Sequence, residues 1–373
     1  MSGIQIYRWC LALVAVVALS CAAAAAPLPA ATEKLLGQLG IAPELMSGLD
    51  KELDVPAAWV EGARKEQALR VSGSWTAAQF NELNAPFRER YPFVKLSYSV
   101  GAFNERVMRP LVAFKEGRFI TDVMTSFGGG ARLYQEAGAL EDLRSLPGFR
   151  NPIDGTGDAV GGTWVGMRLR YWCVAYNTSL VAAADLPRTW DDLLANPVWR
   201  GGNIGVGDRP QLWLLMLWKA YGQDWTTDYI DRFFRVVKPQ LRKEGMNALI
   251  SLNAAGEFKL TLPAADYATK LAVDKKAPIG WRCPEPIPTA VSQLGVIKGN
   301  PHPNASRLWV NWFLSKEGQI AQYAADQSPP AHRDLQTKEF MAFPAEIEGK
   351  KTAPAAEEDI QALYDVWTRY WDS

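Results

Sequence analysis

Apolar and polar positions along this chain alternate between a period of two and a helical period, and the switches mark its elements. Leu69-Arg-Val-Ser-Gly-Ser-Trp75 reads as a strand that runs into a glycine-containing loop. Phe80, Leu83, Asn84 and Phe87 then share helical spacing up to Tyr91-Pro92, where the helix must stop because proline has no N–H to donate. Val94 to Val100 alternates as a half-buried strand, Val107 to Phe114 is helical, and Thr121 to Ser126 is a further strand. Trp164 to Asn177 predicts a longer strand. Asn203 to Val206 predicts a short one, followed by an apolar helix from Gln211 and another near Met246 to Ala255. Strands interleaved with helices imply an α/β architecture with a mainly parallel sheet.

Gln293 to Gln319 holds the densest pattern. Leu294 to Ile297 is an apolar strand, Gly299-Asn300-Pro301 a turn, and Asn304 an N-cap for a helix with Leu308, Trp309, Trp312 and Phe313 on one face. Residues 32–68 read as charged helices with a short apolar face at Leu35, Leu36, Leu39 and Ile41. The last helix carries Ile360, Leu363, Tyr364, Trp367 and Tyr370.

The N-terminus has the form of an export signal. Arg8 precedes the apolar run Cys10 to Leu19 and small residues from Ser20 to Ala26, with cleavage expected near Ala26. Cys21 offers lipid anchoring as a second route, but Ala18-Leu19-Ser20 departs from the usual lipidation pattern. Later apolar stretches are too short to span a bilayer; Leu212 to Trp218 ends at Lys219. A soluble periplasmic protein is expected.

Lys plus Arg and Asp plus Glu number 40 each, so no net field favours nucleic acid or an anionic membrane. The chain has 15 Trp, and those in helical apolar settings, Trp213, Trp218, Trp309 and Trp312, are assigned to packing. Only His302 and His332 are available for acid–base work, and each adjoins proline-rich turns away from strand ends. Neither HExxH, GxSxG nor a dinucleotide fingerprint is present, so catalysis is not expected. Cys173 and Cys283 lie in apolar or extended segments; a disulfide and two buried thiols both remain open.

Gln293 to Gln319, together with Leu186-Pro-Arg-Thr-Trp-Asp-Asp-Leu-Leu194 and Pro197-Val-Trp-Arg-Gly-Gly-Asn-Ile204, resembles type 2 periplasmic substrate-binding proteins of ATP-driven importers. The likeness is to the ferric-ion-binding-like branch of extracellular solute-binding protein family 1, over residues 60–335. In the second segment Thr189 reads as the cap of a helix starting at Trp190. The resemblance implies two α/β lobes joined by hinge strands, near Tyr171 to Tyr176 and Cys283 to Thr289. It divides the chain into a signal peptide (1–26), an N-terminal helical extension (27–59), lobe 1 (60–175), lobe 2 (176–282) and a return to lobe 1 with C-terminal helices (283–373). The final helix is expected to dock on lobe 1. A Cys173–Cys283 bond would tie the crossover strands near the hinge.

The implied function is capture of a small solute between closing lobes and delivery to an importer's membrane permease, by a monomer without cofactor. A ligand-sensing receptor or a secreted enzyme on the same fold is the alternative from another class. Four segments match the ligand positions of the family. They are Ser74-Trp75 after the first strand; Thr125-Ser126-Phe127-Gly128; Asp208-Arg209; and Asp266-Tyr267. Asp208 also reads as an N-cap, with Pro210 in the first turn, and this is the reading its position favours. Ferric-ion binders of the family carry adjacent tyrosines where this chain has Asp266-Tyr267, which makes iron held by those two residues plus an exogenous anion the secondary reading. Hydroxyls, aromatics and one carboxylate suit a small organic or anionic solute better.

Overall fold

The computed structural model describes residues 28–157, 161–356 and 361–371, and within it one long strand decides the layout. That strand is the fourth of ten: β1 (Ala68–Gly73), β2 (Lys95–Val100), β3 (Val123–Thr125), β4 (Val165–Asn177), β5 (Ile204–Gly207), β6 (Gln240–Arg242), β7 (Leu260–Ala265), β8 (Ile279–Arg282), β9 (Ile287–Val296) and β10 (Thr352–Ala356). From Val165 to Tyr171, β4 pairs antiparallel with β9, in a sheet ordered β2-β1-β3-β9-β4. From Trp172 onward it pairs with β7 and β8, and β7 leads on to β5 and β6. Each end of the strand therefore belongs to a different lobe, with the changeover at Tyr171–Trp172.

The pairs β1–β2, β1–β3, β5–β6, β5–β7 and β9–β10 are parallel, while β4 and β9, which cross between lobes, run antiparallel to each other, β4 to β7 and β8 and β9 to β3. The parallel pairs follow from helical connections, which return each strand to the same end of its sheet. In lobe 1, Leu69, Val71, Phe80 and Phe87 pack with Leu308, Trp309, Trp312 and Phe313, the expected apolar face of helix Pro303–Phe313. Lobe 2 buries Trp190, Trp199, Trp213, Tyr229 and Phe233 in its own core. Cys173 and Cys283 form a disulfide with Cα atoms 4.9 Å apart, beside the changeover.

Helix capping is less local than the sequence suggests. Asn304 does not cap helix Pro303–Phe313; the Glu66 carboxylate, brought from another helix, accepts the N–H groups of Asn304 (3.1 Å) and Ala305 (2.8 Å). Near Trp190 the expected roles reverse, because Asp192 accepts the N–H groups of Arg188 (2.8 Å) and Thr189 (2.9 Å). An ionised acceptor makes a stronger cap than a neutral side chain.

The extension is part of lobe 1. Leu36, Ile41, Met46 and Leu49 pack with Ile320, Leu335 and Phe340. Beneath them Glu317, 1% exposed, accepts from Arg90 Nε (2.5 Å), Thr32 Oγ1 (2.5 Å) and Trp312 Nε1 (2.7 Å). The final helix, Gln361–Trp371, departs from expectation and docks on lobe 2, with Trp367 and Tyr370 against Phe234. β10 carries the chain there by pairing with the lobe-2 end of β9. Ile360, the export signal at 1–26 and Cys21 lie outside the described residues. No helix among those described is long and apolar enough to cross a membrane.

Candidate functional site

Side chains of β4 point alternately to two faces, and this separates core from cleft. Met167, Leu169 and Tyr171 are at most 1% exposed and pack inward. Arg168, Arg170 and Trp172 occupy the other face at the lobe boundary. None of the three stood out in the sequence, although Arg-x-Arg-x-Trp inside an apolar strand breaks the pattern on one face only. That alternation was the available signal.

Arg168 is 6% exposed and organises the lobe-1 side. It pairs with Asp326 at the end of helix Lys316–Asp326. Its Nη2 donates to Ser74 Oγ (2.9 Å) and Ser126 Oγ (3.1 Å), and its Nε to Ser292 Oγ (3.3 Å). Burial opposes ionisation of Asp326, but Arg168, the Ser328 N–H and the Trp75 N–H outweigh it and hold the carboxyl below its ordinary value. Ser126 has a φ of 65°, a strained conformation for a residue with a Cβ, and it presents its hydroxyl to Arg168.

Arg170 is different. Its guanidinium lies 4.7 Å from the centroid of the Tyr267 ring and makes no hydrogen bond with any described residue. Asp266, the first residue of helix Asp266–Asp274, is 2% exposed. Burial pushes its carboxyl up to about 6, with the Tyr267 N–H and the Arg170 charge pulling part of the way back. Asp266 Oδ1 has no hydrogen-bond partner in the structure. Beside this pair, a cavity of 290 Å³ in lobe 2 is lined by Trp172, Asp208, Arg209, Lys243, Glu244 and Tyr267, among others. Trp172 is 7% exposed, and its Nε1 also lacks an acceptor.

The structure thus sorts the ten expected site residues. Ser74 and Ser126 meet on Arg168, and Asp208, Arg209 and Tyr267 line the lobe-2 cavity with Asp266 beside them. Asp208 is not an N-cap: the chain passes through a 3-10 turn, Pro210–Leu212, before helix Leu214–Tyr221, and neither start has a side-chain cap. Three expected contacts are core instead. Trp75 is 1% exposed, packs on Phe313 and donates its N–H to Asp326 Oδ2 (2.8 Å). Phe127 is fully buried against Tyr134, and Thr125 Oγ1 donates to the Ser72 carbonyl (3.0 Å). Their apolar surface or hydroxyl is better satisfied inside lobe 1 than at its rim. Gly128 is exposed with a φ of 56°, so its glycine serves the turn.

Both histidines are occupied structurally. His302 Nδ1 lies 2.9 Å from buried Asp122, which also holds Arg70. His332 is buried with its Nε2 3.3 Å from Glu52, and with Asp334 these groups come close enough to suggest a cation site. Lys316 already supplies the cation, with Nζ 3.1 Å from Asp334 and 3.8 Å from Glu52. The cluster fastens the extension to lobe 1.

The profile of the family described as bacterial extracellular solute-binding protein matches residues 70–320. No curated protein matches the chain by sequence. Among solved structures, iron-bound HitA from Pseudomonas aeruginosa is 19% identical with a TM-score of 0.62, covering 81% of this chain and 99% of its own. Trichodesmium FutA (IdiA), in complex with iron and citrate, is 19% identical with a TM-score of 0.66, covering 82% and 97%. The substrate-binding protein of an Agrobacterium tumefaciens ABC transporter is 17% identical with a TM-score of 0.57, covering 83% and 96%. At this identity the likeness is one of fold, that of type 2 periplasmic binding proteins.

Proposed function

From the premise that this chain belongs to the bacterial extracellular solute-binding protein family, we propose that it is the periplasmic capture component of an ABC importer for a small organic or anionic solute. The solute enters between the lobes, contacts on both sides favour the closed form, and the closed monomer delivers it to a membrane permease. Differential affinity for the closed form is what drives closure.

The observation that carries the ligand class is Arg170 on β4 at the lobe boundary, stacked on Tyr267 and hydrogen-bonded to no described residue. Bare ferric ion fits that wall poorly. A hard trivalent cation needs several anionic oxygens, whereas Tyr267 offers one phenol beneath the Arg170 charge and Asp266 Oδ1 is closed off from solvent. Iron with an exogenous anion stays the competing reading because HitA and FutA carry iron on this fold. The relatives are binding proteins, and we assign no catalytic residue.

Native and denaturing mass spectrometry, with metal analysis, on protein gently prepared from periplasmic extract tests this reading. A released organic molecule supports it. Iron near one per chain with no organic molecule would overturn the ligand class, and protein that retains and binds nothing would count against capture itself.

A further inference from the structure

Two arginines two residues apart on one strand face have opposite fates. Arg168 uses its donors on Asp326, Ser74, Ser126 and Ser292, so it builds the lobe-1 wall. Arg170 has its five guanidinium N–H donors uncommitted to any described residue while its flat face rests on Tyr267. A stacked guanidinium leaves its edge free, and that edge matches a carboxylate or phosphoryl group in a two-bond fork. The charges around it do not satisfy this edge. Asp266 and Asp326 act on Arg170 through space, yet neither accepts a hydrogen bond from it.

The neighbouring surface carries charges of both signs. Trp172, next on this strand face, lines the lobe-2 cavity, and Arg209 and Lys243 add cationic groups. Asp208 and Glu244 also line the cavity, and Glu244 is engaged by Arg242 at 2.7 Å. At 290 Å³ the cavity is at the lower end of ligand pockets and suits a small molecule with an apolar or planar body.

We propose that Arg170 is the specificity-determining residue of the cleft, receiving a carboxylate or phosphoryl oxyanion of an organic solute whose body packs on the Tyr267 and Trp172 rings. This rests on the solute-capture reading above and narrows it to one class of solute and one anchoring residue.

The test compares wild type, Arg170→Gln and Arg170→Lys, each checked by circular dichroism and thermal melting. Solute retained after gentle purification is identified by mass spectrometry. Binding of benzoate, phenylphosphonate, inorganic phosphate and uncharged phenol is measured by calorimetry on protein stripped in urea and refolded. The expected result is an organic oxyanion retained by wild type and lost from Arg170→Gln. Benzoate or phenylphosphonate should bind about tenfold or more weakly to Arg170→Gln, with part of the affinity regained in Arg170→Lys because a point charge replaces the fork. The carboxylate and phosphonate probes distinguish the two head groups. Phenol binding as well as the anions, a cationic or uncharged retained solute, or equal affinity in Arg170→Gln would overturn the assignment and leave solute capture standing. No retained solute and no probe binding by wild type would count against both.

Discussion

Replacing Asp266 by asparagine removes an ionisable group from the lobe boundary while keeping the side chain's shape. The carboxyl is 2% exposed, and burial lifts it from 3.8 to about 6. A carboxyl with a raised pKa holds its proton more tightly in the native chain than in the unfolded one. Stability therefore falls as pH rises from the ordinary carboxylate range through about 6, and the full penalty is present above that. A shift of roughly two units corresponds to about 3 kcal/mol, of which about 2.5 kcal/mol develops between pH 4 and pH 8. Asparagine has no such dependence. Urea unfolding of wild type and Asp266→Asn across that range gives a difference in which every other titrating group cancels. The difference should move in the variant's favour by about 2.5 kcal/mol from low to high pH, whatever constant cost the amide adds. A flat difference would refute the reasoning, and an opposite slope would mean that Arg170 outweighs burial.

Other expectations follow from the same geometry. Protonation of Asp266 leaves Arg170 less neutralised, so wild-type affinity for benzoate, which stays ionised across this range, should tighten about tenfold as pH falls through 6, and calorimetry of Asp266→Asn should lose that dependence. Glu317→Ala strands Arg90, Thr32 and the Trp312 N–H, and should cost about 3–5 kcal/mol in chemical denaturation; a loss below 1 kcal/mol would show that the buried carboxylate is dispensable. Removing the Cys173–Cys283 bond, which spans 110 residues, should cost about 2–5 kcal/mol. Reduction should also loosen lobe closure, and small-angle scattering with and without solute checks this: unchanged closure and affinity would free the hinge from the disulfide.

Local pattern makes most elements legible in the sequence. β4 at Val165–Asn177 and the helix face of Leu308, Trp309, Trp312 and Phe313 follow from periodicity, because burial on one face imposes a fixed spacing on apolar residues. The candidate site was only half legible. Ser74, Ser126, Asp208, Arg209 and Tyr267 were read from the loops at strand ends that the family resemblance points to. Arg168 and Arg170 were missed because they lie within a strand, where charge is rare and a period-two reading sees only that one face is apolar. Trp75 and Phe127 were placed at the cleft because aromatic type does not tell which way a loop residue turns.

By itself, then, the sequence determined the α/β alternation and the family. Tertiary structure alone decided that Arg168 is consumed by Asp326, 158 positions away, while Arg170 is not. It likewise decided that Glu66 caps a helix 238 residues distant and that the last helix joins lobe 2. The reason is physical. Backbone periodicity is set by near neighbours and is written locally, whereas the partner of a buried charge is whichever group the packed chain brings within hydrogen-bond reach.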